Sequence, residues 1–346
     1  MSVQKIKITK FISESGYQFD SIELSYEVFG KELSDSNPIV LVCHALTGNS
    51  TVSGESGWWN GIIGENKLID LNQYSILAFN IPGNGFTGKN SLINNYKELS
   101  THDIADLFVK GIELLNIQQL HSVIGGSLGG MIVWELATHF CSIAQNFIPI
   151  ASDYKSSDWV IAQNFIQEQI LNSSENGIGI ARQLSMLFYR TPGDYKQKFN
   201  RSKGAETDVH NVKSYLSYQG EKLRNRMSPL AYRTMTHYLS SCSIAESPKE
   251  LAQKFKLFDG KIHIIGITSD ILFPAIECRK AFEALDFNGI SVSYNEIGSE
   301  YGHDAFLIEY EQLTHLLAPV FIATEEVNPK NNLLYVTPAE AGISDS

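Results

Sequence analysis

Apolar and polar residues alternate through Lys5–Ile12 ("KIKITKFI") and again through Ile22–Gly30 ("IELSYEVFG"). A period of two puts every second side chain on one face, so both segments read as half-buried strands joined by a polar turn. The next apolar runs are different. Ile39–Cys43 in "NPIVLVCHALTG" is apolar without interruption, and "YSILAFN" (Tyr74–Asn80) is of the same kind. Short unbroken runs bounded by turn residues suit strands covered on both faces of a parallel sheet. The second of them stops at the breaker "IPGNG".

Helical spacing then takes over in "STHDIADLFVKGIELLNI", with Ser100 or Thr101 available as the N-cap. "HSVIGGS" reads as a strand running into a glycine turn, "LGGMIVWELATHF" as a helix and "NFIPIAS" as a further strand. This alternation predicts a mostly parallel α/β sheet. From Asp153 to about Pro248 the rhythm changes, and the pattern is helical without a clear strand. Strand and helix resume with "KIHIIGITSD", "AIECRKAFEAL" and "SVSYNEIGS", and "DAFLIEYEQLTHLLAPVFIA" reads as one last helix. The prediction is an α/β core over 1–152 and 249–325, a helical insertion over 153–248 and a polar tail over 326–346.

The 346 residues are 43% hydrophobic, enough for a large core, and the net charge is −11. An acidic chain fits neither nucleic acid nor an anionic membrane surface by simple electrostatics. Cys43, Cys141, Cys242 and Cys278 lie far apart with no C-x-x-C pair. That argues against a zinc site or a disulfide framework and fits a reducing compartment. No cluster of histidine, cysteine and carboxylate shows ligand spacing, so no metal site is expected. The N-terminus lacks the apolar stretch of a secretory signal, and no segment approaches the roughly 20 apolar residues of a membrane span. A soluble cytoplasmic protein is the expectation.

The chemistry centres on "GGSLGG". Gly125-x-Ser127-x-Gly129 stands between an apolar strand and a helix, the setting of a nucleophile elbow. A serine hydroxyl needs a base, and the base needs an orienting carboxylate. In folds built on this turn the partners follow in the order serine, acid, histidine. Asp270 ends "HIIGITSD" and His303 lies in "YNEIGSEYGHDAF", after the last predicted strand. His44, His121, His139, His210 and His237 fit that order and position less well. An oxyanion hole takes one backbone N–H from the residue after the nucleophile, Leu128, and one from the turn after the third strand. That turn is "HALTG", which nominates Leu46.

With these residues in place, the sequence resembles the homoserine O-acetyltransferase family of the α/β-hydrolase superfamily. The resemblance runs in order from Ile39 to Glu309. It is carried by "HALTG", "VIGGSLGGM", "SDWVIAQNFIQEQI", "GIARQLSMLFYRTPGDYKQKF", "YLSYQGEK", "GITSDILFPAIECRKAFEAL" and "YGHDAFLIE". It implies an α/β-hydrolase fold with a helical lid. It implies acyl transfer from a coenzyme A thioester to the hydroxyl of L-homoserine, in methionine biosynthesis, by a ping-pong route through Ser127. Acetyl-coenzyme A enters as a substrate, with no permanently bound cofactor, and a homodimer forms through the lid.

By the same resemblance, Asp304 meets the substrate amine, Arg190 its carboxylate, and Thr47 lines the substrate side of the "HALTG" turn. The plain alternatives are a helix N-cap for Asp304 and a solvated surface group for Arg190. Two stretches depart from the family pattern. "NIPGNGFTGKNS" replaces a longer loop with a Gly-Pro-Ser-Ser core, and "NRMSPLAYR" replaces a Phe-Asp-Ala-Asn stretch. Both bear on which donor and acceptor are used. The rival readings are a serine ester or thioester hydrolase, an O-acyltransferase using succinyl-coenzyme A or L-serine, and an inactive binding scaffold. The intact triad speaks against the last.

Overall fold

The two alternating segments pair with each other. In the computed structural model, which describes residues 2–205 and 208–322, β1 (Gln4–Ile12) runs antiparallel to β2 (Gln18–Gly30), with Ile8 opposite Ile22. The unbroken apolar runs become β3 (Ile39–Cys43) and, after the two-residue strands β4 (Ile63–Gly64) and β5 (Ile69–Asp70), β6 (Ser75–Phe79). Every residue of β3 and β6 is buried. Next come α1 (Thr101–Leu114), β7 (Leu120–Gly126), α2 (Leu128–His139) and β8 (Ala144–Ile150). Ser100 caps α1 in a reciprocal box with Asp103. The other oxygen of Asp103 accepts the Glu14 N–H at 2.8 Å, which ties α1 to the β1–β2 turn.

Five helices follow: α3 (Asp158–Ser173), α4 (Gly177–Tyr189), α5 (Pro192–Phe199), α6 (Asn211–Arg224) and α7 (Pro229–Ser241). The insertion leaves and re-enters the core through one neck, where Lys155 bridges Ser243 and the Ile244 N–H donates to Tyr154. The core is completed by α8 (Pro248–Lys254), β9 (Lys261–Ile267), α9 (Ala275–Phe287), β10 (Val292–Ile297) and α10 (Tyr310–Phe321). The eight-stranded sheet has the order β1-β2-β6-β3-β7-β8-β9-β10. It is antiparallel through β2–β6 and parallel from β6 to β10.

Side-chain alternation along the strands gives the sheet two apolar faces. Leu41, Leu77 and Val123 point into a layer with Ile104, Phe108 and Met131 of α1 and α2. Val40, Val42, Ile76 and Ile124 point the other way, against Trp59, Leu313 and Leu317. Every residue of α2 from Leu128 to Ala137 is buried, which explains why its sequence is apolar nearly all round.

One predicted element needs correction. The stretch from Asp304 onward is not a single helix. A 3-10 turn over Gly302–Leu307 buries His303, Ala305 and Phe306, and the chain then breaks before α10. At three residues per turn, His303 and Phe306 fall on the same inward face. The tail predicted over 326–346 lies outside the described residues. Among the described residues, no helix is long and apolar enough to cross a membrane. None of the four cysteines is paired with another.

Candidate active site

β7 ends at Gly126, α2 begins at Leu128, and Ser127 stands between them with φ 58° and ψ −125°. That conformation is disfavoured for a residue with a Cβ and costs about 1–3 kcal/mol, held here by the packed strand and helix. A Cβ at Gly129 would collide with the Cys43 carbonyl at the end of β3. Glycine there lets α2 rest directly on the β3 backbone. The Ser127 N–H donates to Ile150 at 3.0 Å and fixes the elbow to β8.

Asp270 follows β9 and His303 follows β10, so all three residues lie beyond the C-terminal ends of the parallel strands. His303 Nδ1 is 2.7 Å from Asp270 Oδ2. The other Asp270 oxygen accepts the backbone N–H groups of Leu272 (2.7 Å) and Phe273 (2.9 Å). The carboxylate is thereby held at both oxygens. It fixes the imidazole tautomer with the proton on Nδ1, leaving Nε2 as the basic nitrogen. Ser127, Asp270 and His303 are all buried. Burial by itself would lower the His303 pKa. The charge and hydrogen bond of Asp270, with a smaller contribution from Asp304, outweigh it and raise the pKa above the ordinary histidine value.

The two nominated oxyanion donors have a property in common. Leu46 and Leu128 are buried. Among the described residues, neither backbone N–H has a hydrogen-bond acceptor. For Leu128 this follows from its place at the first position of α2. Buried N–H groups without partners are rare in folded proteins, and a pair beside a nucleophile suits a developing oxyanion.

The Leu46 turn is rigidly held. His44 Nδ1 meets the Ala45 carbonyl at 2.8 Å while Nε2 accepts the Ile81 N–H at 2.9 Å. Burial pushes the His44 pKa down to about 4, so the ring stays neutral and keeps both bonds. Arg226 donates to the Thr47 carbonyl at 2.7 Å. Thr47 itself is half-buried in that turn.

Asp304 lies inside the 3-10 turn and caps no helix, so the plain N-cap alternative fails. Burial raises its pKa, and Arg182, His303 and Arg190 pull the other way. Arg190 is committed elsewhere. It grips Asp194 through Nε at 2.8 Å and Nη2 at 3.1 Å, and its Nη1 reaches Asp304 only at 3.5 Å. It is not a solvated surface group, since its side chain is 12% exposed.

Sequence reading missed Arg182. It lies seven residues before Tyr189 on α4, hence on the same helical face, and its guanidinium sits 5.3 Å from the centre of the Tyr189 ring. The Tyr189 ring is in turn 5.7 Å from that of His303. Arg182 has no ion-pair or hydrogen-bond partner among the described residues. The i, i+7 pairing of arginine and tyrosine in "ARQLSMLFYR" was the available signal.

The sequence shows no metal-ligand spacing, yet the fold gathers three such residues. His102, Glu135 and His139 come together where α1 packs on α2. Glu135 and His139 are one helical turn apart, but His102 joins them only through tertiary packing.

Comparisons with known proteins establish the fold and the family. The model of the alpha/beta hydrolase fold matches residues 38–309. A homoserine O-acetyltransferase of Cyclobacterium marinum is 33% identical over 331 residues, covering 89% of this chain and 92% of the relative. The crystal structure of homoserine O-acetyltransferase from Staphylococcus aureus superposes with a TM-score of 0.78 at 28% identity, covering 95% of this chain and 98% of that one. Esterase E22 superposes with a TM-score of 0.81 at 16% identity, covering 92% and 99%, a likeness of fold alone. The chain has the α/β-hydrolase fold and belongs to the homoserine O-acetyltransferase family of enzymes.

Proposed function

We propose that this enzyme transfers an acetyl group from acetyl-coenzyme A to the hydroxyl of L-homoserine through an acyl-enzyme on Ser127, a step of methionine biosynthesis. His303 Nε2 takes the Ser127 proton as Oγ attacks the thioester carbonyl. The Leu46 and Leu128 N–H groups hold the oxyanion, and His303 returns the proton to the departing thiol. Homoserine then enters. His303 takes its hydroxyl proton, the oxygen attacks the acyl ester, and Ser127 is released.

The observation that carries this reading is the pair of charges beside the imidazole. Asp304 adjoins His303 in sequence, and Arg182 is an uncommitted cation across Tyr189. An amino acid acceptor brings one amine and one carboxylate, and these two groups match them. Arg182 takes the carboxylate in this reading because Arg190 is spent on Asp194. Thr47 lines the acceptor side, with its carbonyl fixed by Arg226.

The test is release of free coenzyme A from acetyl- or succinyl-coenzyme A, with and without L-homoserine or L-serine. Release from acetyl-coenzyme A that requires homoserine supports the proposal. Release at one rate regardless of acceptor replaces it with a thioesterase, and a preference for succinyl-coenzyme A or serine changes the donor or acceptor. The hydrolase reading has one feature in its favour, the short Ile81–Gly85 loop, which packs through Gly83 and Gly85 onto α7 and Leu92 and leaves little chain to shape an acyl pocket. We also propose a homodimer through the insertion. On α3, Trp159, Ile161, Phe165 and Ile166 are exposed on the flank opposite the buried Val160, Asn164 and Gln167. Sedimentation at two concentrations tests this. The free cysteines and the absence of a membrane-spanning helix among the described residues are compatible with a cytoplasmic enzyme.

A further inference from the structure

We propose that His102, Glu135 and His139 bind a divalent transition-metal ion of the zinc type. The site lies at the opposite end of α2 from Ser127. Ser127 precedes the first turn of α2, whereas Glu135 and His139 occupy its last turns. One ligand atom from each residue lies within 4.8 Å of the other two.

The carboxylate geometry points to an ion rather than to a closed polar network. Glu135 Oε2 is 3.1 Å from His139 Nδ1 and 3.6 Å from His102 Nδ1. Neither contact has the geometry of a hydrogen bond. Glu135 Oε2 and His102 Nδ1 are both buried without a hydrogen-bond partner. Buried polar atoms are nearly always satisfied, so two that converge on one point require an explanation. Ligands held about 2.0–2.1 Å from a tetrahedral zinc ion lie roughly 3.3 Å apart, close to these spacings.

The surroundings are those of a supported ligand set. Glu135 Oε1 accepts the Thr101 hydroxyl at 2.7 Å, which fixes the carboxylate plane and leaves Oε2 facing His102 and His139. Glu135 is 4% exposed, while the His102 and His139 side chains are 30% and 32% exposed. An ion can therefore enter from solvent and keep water at the remaining position. Two imidazoles and one carboxylate suit zinc, cobalt, nickel or copper, and not magnesium or calcium, which take all-oxygen sites. The ion would clamp the start of α1 to the end of α2, a structural role apart from acyl transfer.

The experiment uses the full chain stripped with chelator and dialysed at pH about 8, because metal binding requires deprotonated ligands. Zn(II) is titrated by calorimetry and Co(II) by visible absorption. The expected result is one equivalent per chain, a rise of the thermal midpoint with Zn(II), and the intense visible bands of low-coordinate Co(II). His102→Ala and His139→Ala should each weaken binding at least about tenfold and abolish the thermal rise. Both histidines are partly exposed, so both variants should fold, which the metal-free thermal midpoint and coenzyme A release check. Absence of saturable binding to the wild type overturns the proposal, and so does binding that either variant leaves unchanged.

Discussion

Arg182 stands midway along α4 and Arg190 caps its C-terminal end, and their substitution should separate binding from stability. Arg182→Met removes the charge and keeps most of the stem. If Arg182 holds the acceptor carboxylate, the loss is that of a charge-assisted contact, about 2–5 kcal/mol in general. Arg182 is half-buried rather than sealed, so the lower part of the range applies. About 2–3 kcal/mol corresponds to a KM for homoserine raised roughly 30- to 150-fold. In a ping-pong scheme kcat/KM for acetyl-coenzyme A should not change, because the donor half-reaction precedes acceptor binding. The thermal midpoint should hardly move, since no protein partner is left unpaired.

Arg190→Met should do the reverse. Its two bonds to Asp194 join side chains that are 12% and 6% exposed. Removing one member leaves a buried carboxylate uncompensated, typically about 3–5 kcal/mol. The Asp194 position at the start of α5, capped by Thr191, offsets part of this. A loss of about 3 kcal/mol lowers the melting temperature by roughly 6 °C at about 2 °C per kcal/mol. Steady-state thiol release with homoserine varied at saturating acetyl-coenzyme A, alongside thermal denaturation, reads both effects. A larger rise of homoserine KM in Arg190→Met than in Arg182→Met, with the melting temperature unchanged, would refute the reasoning.

Ser127→Ala should abolish the mass increase seen when the protein is mixed with acyl donor, and a persistent adduct would move the nucleophile elsewhere. His303 works as a base only when neutral, and its pKa is raised above 6.5. Donor kcat/KM should therefore fall as pH drops through a value above 6.5, and a flat profile from pH 5 to 8 would contradict the assigned base. Asp270→Asn removes the charge that raises that pKa. It should cost about 10⁴ in kcat and shift the remaining acid limb downward, with circular dichroism unchanged. Asp304→Asn should raise KM for homoserine far more than for the donor. Equal effects on the two would mark Asp304 as a structural partner of Arg190.

The sheet, and the placing of Ser127, Asp270 and His303 just after strands, were legible because they rest on local pattern. Unbroken apolar runs mark β3 and β6, a strand precedes the elbow serine, and the acid and base follow strands in a fixed order. Features that depend on tertiary choice were not. Which arginine is free depends on Asp194, which neutralises Arg190 across the break between α4 and α5, and periodicity within one helix does not reach that far. Asp304 looked like a helix cap because "DAFLIEYEQL" has helical spacing. Burial of His303, Ala305 and Phe306 instead forces a 3-10 wind, with the Phe306 ring against Gly126. His102 is 33 residues from Glu135, a separation that only the packing of α1 on α2 closes.

The fold alone does not say which group accepts the acyl chain, because one fold hosts many reactions. On the proposed reading, selection of the acceptor has to come from groups that meet His303, and here they arrive from two directions. Gly302 takes φ 64° and lies so close to the end of α4 that a Cβ would come within 2.8 Å of the Tyr189 carbonyl. The insertion and the His303 loop thus touch backbone to backbone, immediately before His303. That contact brings Tyr189 against the imidazole and Arg190 near Asp304. It leaves Arg182 on the same face of α4 with its charge unspent. On the proposed reading, acyl chemistry is a property of the strand ends and acceptor choice a property of α4 docked on the Gly302 turn. Changes in α4 should then alter which hydroxyl is acylated while leaving the first half-reaction intact.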